Sequence, residues 1–234
     1  MEPSIIFEDE YLLVINKPAG WIVNEASTTK GRPVLQDWLS GMQYPLAQSR
    51  EFRSGIVHRL DKETSGVLVV AKTQNAFELL QQQFKEREIQ KEYIALVHGR
   101  VYPHMGTVEV AVGRLPWKRD RFGVLPGGRE SKTDYETRGY YSNGKEEFTL
   151  LELKPHTGRT HQIRIHLKYI QNAIVSDDFY AGRKTARNDR KWCPRLFLHA
   201  LEIRFNHPVT GNLRIFRAEL PSDLKGVLSK LTRI

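Results

Sequence analysis

Ile56-Val57-His58-Arg59-Leu60-Asp61-Lys62-Glu63-Thr64-Ser65-Gly66-Val67-Leu68-Val69-Val70-Ala71-Lys72 joins a polar cluster to an unbroken apolar run. A β-branched run of this length, with no polar residue from Val67 to Ala71, predicts a strand buried on both faces. Asp61 then lies on the loop that feeds a rigid core strand. Arg59 and Lys62 flank it and the hydroxyls of Thr64 and Ser65 follow, and neighbouring cations and hydrogen bonds favour an ionised carboxylate, as a nucleophile or base requires. On composition alone, an Asx-turn or a helix N-cap is the commoner use of such an aspartate.

His58-Arg59-Leu60-Asp61 superficially matches the catalytic loop of protein kinases, but the match fails in detail. The aspartate is displaced by one residue, Gly66 stands where the asparagine belongs, no glycine-rich phosphate loop precedes it, and Asp178-Phe179-Tyr180 lacks the glycine of the magnesium motif. The stretch instead resembles the RluA-type pseudouridine synthases, whose signature His-Arg-Leu-Asp-x-x-Thr-Ser-Gly runs without substitution from His58 to Gly66. The resemblance extends to Asn16-Lys17-Pro18-Ala19-Gly20, to Lys91–Val97, to His156-Thr157-Gly158-Arg159-Thr160-His161-Gln162-Ile163-Arg164, to Leu198-His199-Ala200 and to His207-Pro208-Val209-Thr210-Gly211. One departure is Ala173-Ile174-Val175-Ser176-Asp177, where Pro-Ile-x-Gly-Asp is usual, which puts the loop geometry there in question.

The resemblance implies an α+β fold, a long and mostly antiparallel mixed sheet with flanking helices and a central active-site cleft. It implies isomerisation of uridine to pseudouridine in ribosomal or transfer RNA, with no cofactor and no metal. Asp61 is the implied catalytic carboxylate, Tyr93 the ring that stacks on the uracil and helps in proton transfer, and Arg164 the partner that keeps Asp61 ionised, with Arg159 as second choice. Arg59 is the candidate wedge filling the place of the extruded base, since a stacked base must leave its helix before its glycosidic bond can be reached. Leu60, Val97 and Ile163 are candidates for the apolar wall that retains the detached uracil. Lys17, on a turn that the family places near the site, and Arg159 are candidate RNA contacts.

The 234 residues carry 36 Lys and Arg against 27 Asp and Glu, a net charge of +9, which favours a polyanionic partner. RNA is the expected partner and a membrane is not: no apolar run nears the ~20 residues needed to span a bilayer. A single cysteine, Cys193, excludes an internal disulfide and fits the cytoplasm, and the acidic N-terminus does not read as a signal peptide. A single catalytic domain over 1–234, without an appended N-terminal RNA-binding domain, and a monomer are expected.

Two segments interleave basic residues with aromatics, a pattern suited to phosphates and unpaired bases. The first, Arg114 to Arg129, contains Trp117, Arg119 and Phe122. The second, Gly182 to Arg195, contains Arg183, Lys184, Arg187, Arg190, Lys191, Arg195 and Trp192. Helices are predicted from Pro33 to about Gly41, over 75–88 capped by Asn75, over 160–170 with Arg164 pointing away from the apolar face, and from Pro221 to the end. Strands are predicted over 11–15, 67–72, 91–98, 149–153, 196–205 and 213–220. His156, His161 and His166 fit no zinc spacing and are read as structural or RNA-facing. The rival classes are a non-catalytic RNA-binding protein or chaperone on the same scaffold, and a glycosidase. The latter normally needs a second carboxylate, for which Glu63 is the nearest candidate.

Overall fold

Strands form wherever β-branched and aromatic residues concentrate, and the helices between them are short. The computed structural model describes residues 1–26, 29, 31–118 and 121–234. In chain order the elements are β1 (Ser4–Glu8), β2 (Leu12–Lys17), α1 (Leu35–Ser40), β3 (Ser65–Ala71), α2 (Gln74–Glu86), β4 (Gln90–His98), β5 (Met105–Glu109), β6 (Val112–Arg114) and β7 (Phe122–Val124). There follow β8 (Lys132–Ser142), β9 (Glu147–Pro155), α3 (Gln162–Tyr169), α4 (Arg183–Asp189), β10 (Leu198–Asn206), β11 (Leu213–Arg217), α5 (Ser222–Leu228) and β12 (Thr232–Arg233). This is an α+β fold. The chain divides into two compact units, Met1–Lys91 with Ala200–Glu219, and Glu92–His199 with Leu220–Ile234.

In the first unit the strand order is β1-β2-β3-β10, with β11 paired to β10. All seven residues of β3 are buried, as the continuous apolar run requires. Its antiparallel partner β2 sets Val14 opposite Val69 and Lys17 opposite Gly66, so the start of β3 is fixed against the end of β2. Helix α2 covers the sheet through Ala76 and Leu80. Its cap is Thr73 rather than the expected Asn75: the Thr73 hydroxyl accepts the Ala76 N–H at 3.3 Å, which starts the helix one residue earlier.

The second unit is built on β4-β9-β8, antiparallel throughout, with β5 and β12 also paired to β8 and a separate β6–β7 hairpin. Its core gathers Ala95, Leu96 and Val97 of β4, Leu151 and Leu153 of β9, Phe148, Ile174 and Phe197. Six of the eight α3 residues are buried, so this helix is sunk into the core rather than laid on it. Arg164 is one of them, only 6% exposed. Among the described residues no helix is long and apolar enough to cross a membrane.

Candidate active site

The loop carrying Asp61 is anchored on both sides. Ahead of it, Ile56 bridges to Val70, and His58 Nε2 accepts the Val69 N–H at 2.9 Å while its ring lies 5.0 Å from that of Phe84 on α2. Leu60 is buried, Arg59 is exposed and Asp61 is half-buried. The Asp61 carbonyl accepts the Thr64 N–H at 3.1 Å, closing a tight turn that leads into β3. The Thr64 hydroxyl, which the sequence pattern offered in support of Asp61, is buried and makes no hydrogen bond among the described residues.

Lys17 is the principal correction here. It is 0% exposed, so it presents no charge to RNA. Its ammonium donates to the carbonyls of Pro18 at 2.9 Å, Trp21 at 3.0 Å and Lys62 at 3.2 Å. The Lys62 carbonyl also accepts the Gly20 N–H at 2.8 Å. A buried ammonium is tolerable only with such hydrogen bonds, and these tie the 18–21 turn to the residue following Asp61.

His58 works as a neutral acceptor, and burial, followed by the charge of Lys91, pushes its pKa from 6.5 to about 3. Burial likewise brings His166 to about 4, in a site where its Nε2 meets the Ser131 hydroxyl at 2.9 Å. A depressed histidine leaves stability intact above the unfolded value of 6.5 and removes it as pH falls toward the folded value, because only the unfolded chain takes up the proton. For His58 this amounts to about 2 kcal/mol by pH 5. Melting midpoints of the wild type should therefore fall between pH 7 and 5, and His58→Gln, which keeps an acceptor for Val69 but does not titrate, should fall by less. Equal decline in both proteins would show that His58 is not the titrating group.

In the second unit Tyr93 is half-buried on β4, opposite Leu153 of β9. Val97 is 0% exposed and packed in the core, so it presents no surface to a pocket; this corrects its reading as a uracil wall. Ile163 retains 7% and Leu60 4%. Arg164 donates through Nε and Nη2 to the two Asp177 oxygens, both at 2.8 Å, with both side chains buried. Asp177 Oδ1 also accepts the Phe179 and Tyr180 N–H groups at 2.9 and 3.1 Å, so the carboxylate fixes both the turn and the guanidinium. Removing one partner of such a buried pair costs about 3–5 kcal/mol, since the other charge is left without compensation.

The departing Ser176 answers the question of loop geometry. It sits at φ 61°, the left-handed region that glycine enters freely, so serine keeps the backbone shape that glycine would give. Its N–H donates to Asp189 Oδ2 at 2.9 Å and its hydroxyl to the Cys193 carbonyl at 2.7 Å, two buried bonds that offset the strain. Gln162 is a further residue that sequence reasoning quoted without giving it a role. It is buried, its Oε1 accepts the Thr157 hydroxyl at 2.6 Å and the Arg159 N–H at 3.0 Å, and its Nε2 donates to the Lys132 carbonyl and the Thr133 hydroxyl, both at 3.0 Å. It thereby fastens the 157–162 turn to β8. Arg159 is half-buried, its Nε donating to the Glu130 carbonyl at 3.3 Å.

His166 is buried against Ser131, His161 meets the Tyr180 hydroxyl, and the exposed His156 contacts Asp134. Among the described residues no group of three His, Cys, Asp or Glu is placed to hold a metal ion. Of the RNA-contact candidates, Trp117 is 75% exposed beyond β6 and Arg187 is exposed on α4. Arg119 lies outside the described residues. Trp192 is half-buried with its ring 5.1 Å from Phe148, packed against the core. Arg195 is buried against Asp223, and Arg190 pairs with Asp178. That leaves Arg183, Lys184, Arg187 and Lys191 as the exposed cations of this segment.

Residues 11–169 match the family model described as RNA pseudouridylate synthase. The chain is 40% identical over 217 residues to an uncharacterized RNA pseudouridine synthase of Chloroflexus aurantiacus, covering 92% of this chain and 65% of that protein. It is 37% identical over 229 residues to ribosomal large subunit pseudouridine synthase D of Vibrio cholerae, covering 94% of this chain and 68% of that protein. It thus spans about two thirds of the length of these curated relatives. The solved structure of human RNA pseudouridylate synthase domain containing 1 superposes with a TM-score of 0.76 at 26% identity, covering 99% of this chain and 89% of that one.

Proposed function

The chain belongs to the RluA-type family of RNA pseudouridine synthases, and from that membership we propose that it converts a uridine of structured large-subunit ribosomal RNA to pseudouridine with Asp61 as nucleophile or base. The observation that carries the reading is the unsubstituted His58–Gly66 motif, mounted on a buried strand and held by the His58 and Lys17 hydrogen bonds. The ribosomal assignment rests on relatives named for the large subunit, including the Vibrio cholerae protein. Residues 1–234 then act as one catalytic domain.

In the reaction the bond from uracil N1 to the ribose anomeric carbon breaks, the ring turns while bound, and its C5 bonds to that carbon. The C5 proton is then lost and N1 regains one, so the RNA keeps its mass. Ionised Asp61 attacks the anomeric carbon or the uracil ring, or removes a sugar proton to give a glycal, and each route needs the free carboxylate. Tyr93 offers a flat ring for stacking and a phenol for the C5 proton. Arg59, exposed beside the buried Leu60, fills the place of the extruded base.

The test incubates the wild type with in vitro transcribed large-subunit ribosomal RNA, or transfer RNA, labelled with tritium at uracil C5. Tritium release from the ribosomal RNA with no free uracil is expected. Release from transfer RNA alone would overturn the ribosomal assignment, and free uracil would make the protein a hydrolase.

A further inference from the structure

The β6–β7 hairpin, the outer face of α3 and the Phe179–Tyr180 turn, all within the second unit, enclose a groove of about 420 Å³. Lys118, Arg121 and Lys168 line it, together with Phe122, Tyr169 and Phe179. Its volume lies in the ~300–1,000 Å³ range of small-molecule sites. We propose that this groove binds an unpaired nucleotide of the RNA substrate, separate from the uridine that reacts. The proposal rests on the RNA reading above and adds to it a second point of contact.

Charge and exposure support this occupant. No acidic side chain is among the described residues that line the groove, and neither Lys118 nor Lys168 forms an ion pair with a described carboxylate. Phe179 is 46% and Tyr169 52% exposed, so both rings reach solvent beside three cations. A duplex buries its base faces and offers such rings nothing to stack on, whereas an unpaired nucleotide supplies a base and a phosphate together. An acidic peptide matches the charge but leaves the rings unused.

The groove is also built before any ligand arrives. Arg121 lies 4.2 Å from the centre of the Phe179 ring and its Nη1 donates to the Phe179 carbonyl at 3.1 Å. The Tyr180 hydroxyl donates to the Phe122 carbonyl at 3.1 Å, fastening the hairpin to the turn. The Arg164 guanidinium is 5.2 Å from the same Phe179 ring, and Asp177 fixes both that turn and Arg164. A nucleotide in the groove that meets Phe179 therefore touches the element that holds Arg164.

The test measures binding of a single-stranded ten-nucleotide oligouridylate to the full chain from 50 to 300 mM KCl. For Lys118→Ala with Lys168→Ala, the slope of log affinity against log salt should lessen by about 1.4, or ~0.7 per cation lost. Lys145→Ala with Lys230→Ala removes the same charge from exposed sites elsewhere in the second unit and should leave the slope as in wild type. Tyr169→Ala should weaken binding about tenfold with no change of slope, because it removes stacking and not charge. Equal slopes for the two double variants would overturn the proposal. So would polyglutamate binding as tightly as the oligouridylate and losing as much in the groove variant, which would make the site one for acidic peptides. Pseudouridine formation by the wild type is scored separately: its absence alongside a lessened slope leaves the groove standing and removes the enzyme reading, and its presence with unchanged slopes removes the groove alone.

Discussion

Asp61→Asn should leave the protein folded and reduce tritium release from C5-labelled RNA by ~10⁴-fold or more, the scale of loss when a reacting nucleophile or base is removed. Asparagine keeps the size of the side chain and removes its charge, while the turn it belongs to is closed by the backbone, through the Asp61 carbonyl and the Thr64 N–H. The side chain is half-buried, and its sequence neighbours Arg59 and Lys62 are exposed. Melting midpoints and RNA affinity should therefore stay close to wild type while the chemistry stops. That separation distinguishes a reacting carboxylate from a structural one. A variant retaining a tenth of wild-type activity would remove Asp61 from the reaction, and one that bound RNA normally beside an equally inactive wild type would favour the RNA-binding or chaperone reading.

How much of this was legible in the sequence depends on whether the information was local. Strand β3 could be read directly because a residue buried on both faces leaves no alternation to hide: Val67 to Ala71 are apolar in the sequence and buried in the fold. The β10–β11 pair was legible from the turn-rich 206–212 connection between two strand runs. Helix α4 was not, since Arg183–Asp189 has no apolar period and buries only Ala186 and Asp189. Lys17 and Gln162 were misplaced or passed over, and the pairing of Arg164 with Asp177 went unread, for a common reason. A buried polar group is tolerated because of its partners, and those partners are distant in sequence: the Lys62 carbonyl for Lys17, Asp177 for Arg164, and the Lys132 carbonyl and Thr133 hydroxyl for Gln162. Local spacing marks such residues as surface. The trio of Asp61, Tyr93 and Arg164 likewise came from the family resemblance, since nothing in their spacing links them.

Gly66, the last residue of the motif, should resist replacement by any other residue. It has φ +122°, a conformation that side-chain-bearing residues rarely adopt, and a Cβ there would lie 2.1 Å from the Ala200 carbonyl oxygen and 2.7 Å from the Ala200 carbon and nitrogen. The obstacle is backbone of the neighbouring strand β10, so no rotamer change relieves it. Either β3 and β10 separate, which breaks the pairing beneath the Asp61 loop, or the chain does not fold. Gly66→Ala should therefore cost more than ~4 kcal/mol, at the extreme of single substitutions. Gly20 supplies the comparison: its φ is +91° but nothing lies within 4 Å of its Cβ position, so Gly20→Ala should incur backbone strain alone, about 1–3 kcal/mol. Urea denaturation of both variants beside the wild type measures the difference. A Gly66→Ala protein as stable as Gly20→Ala would mean that β3 and β10 are not in the close contact described, and the seating of the Asp61 loop on that sheet would have to be abandoned with it.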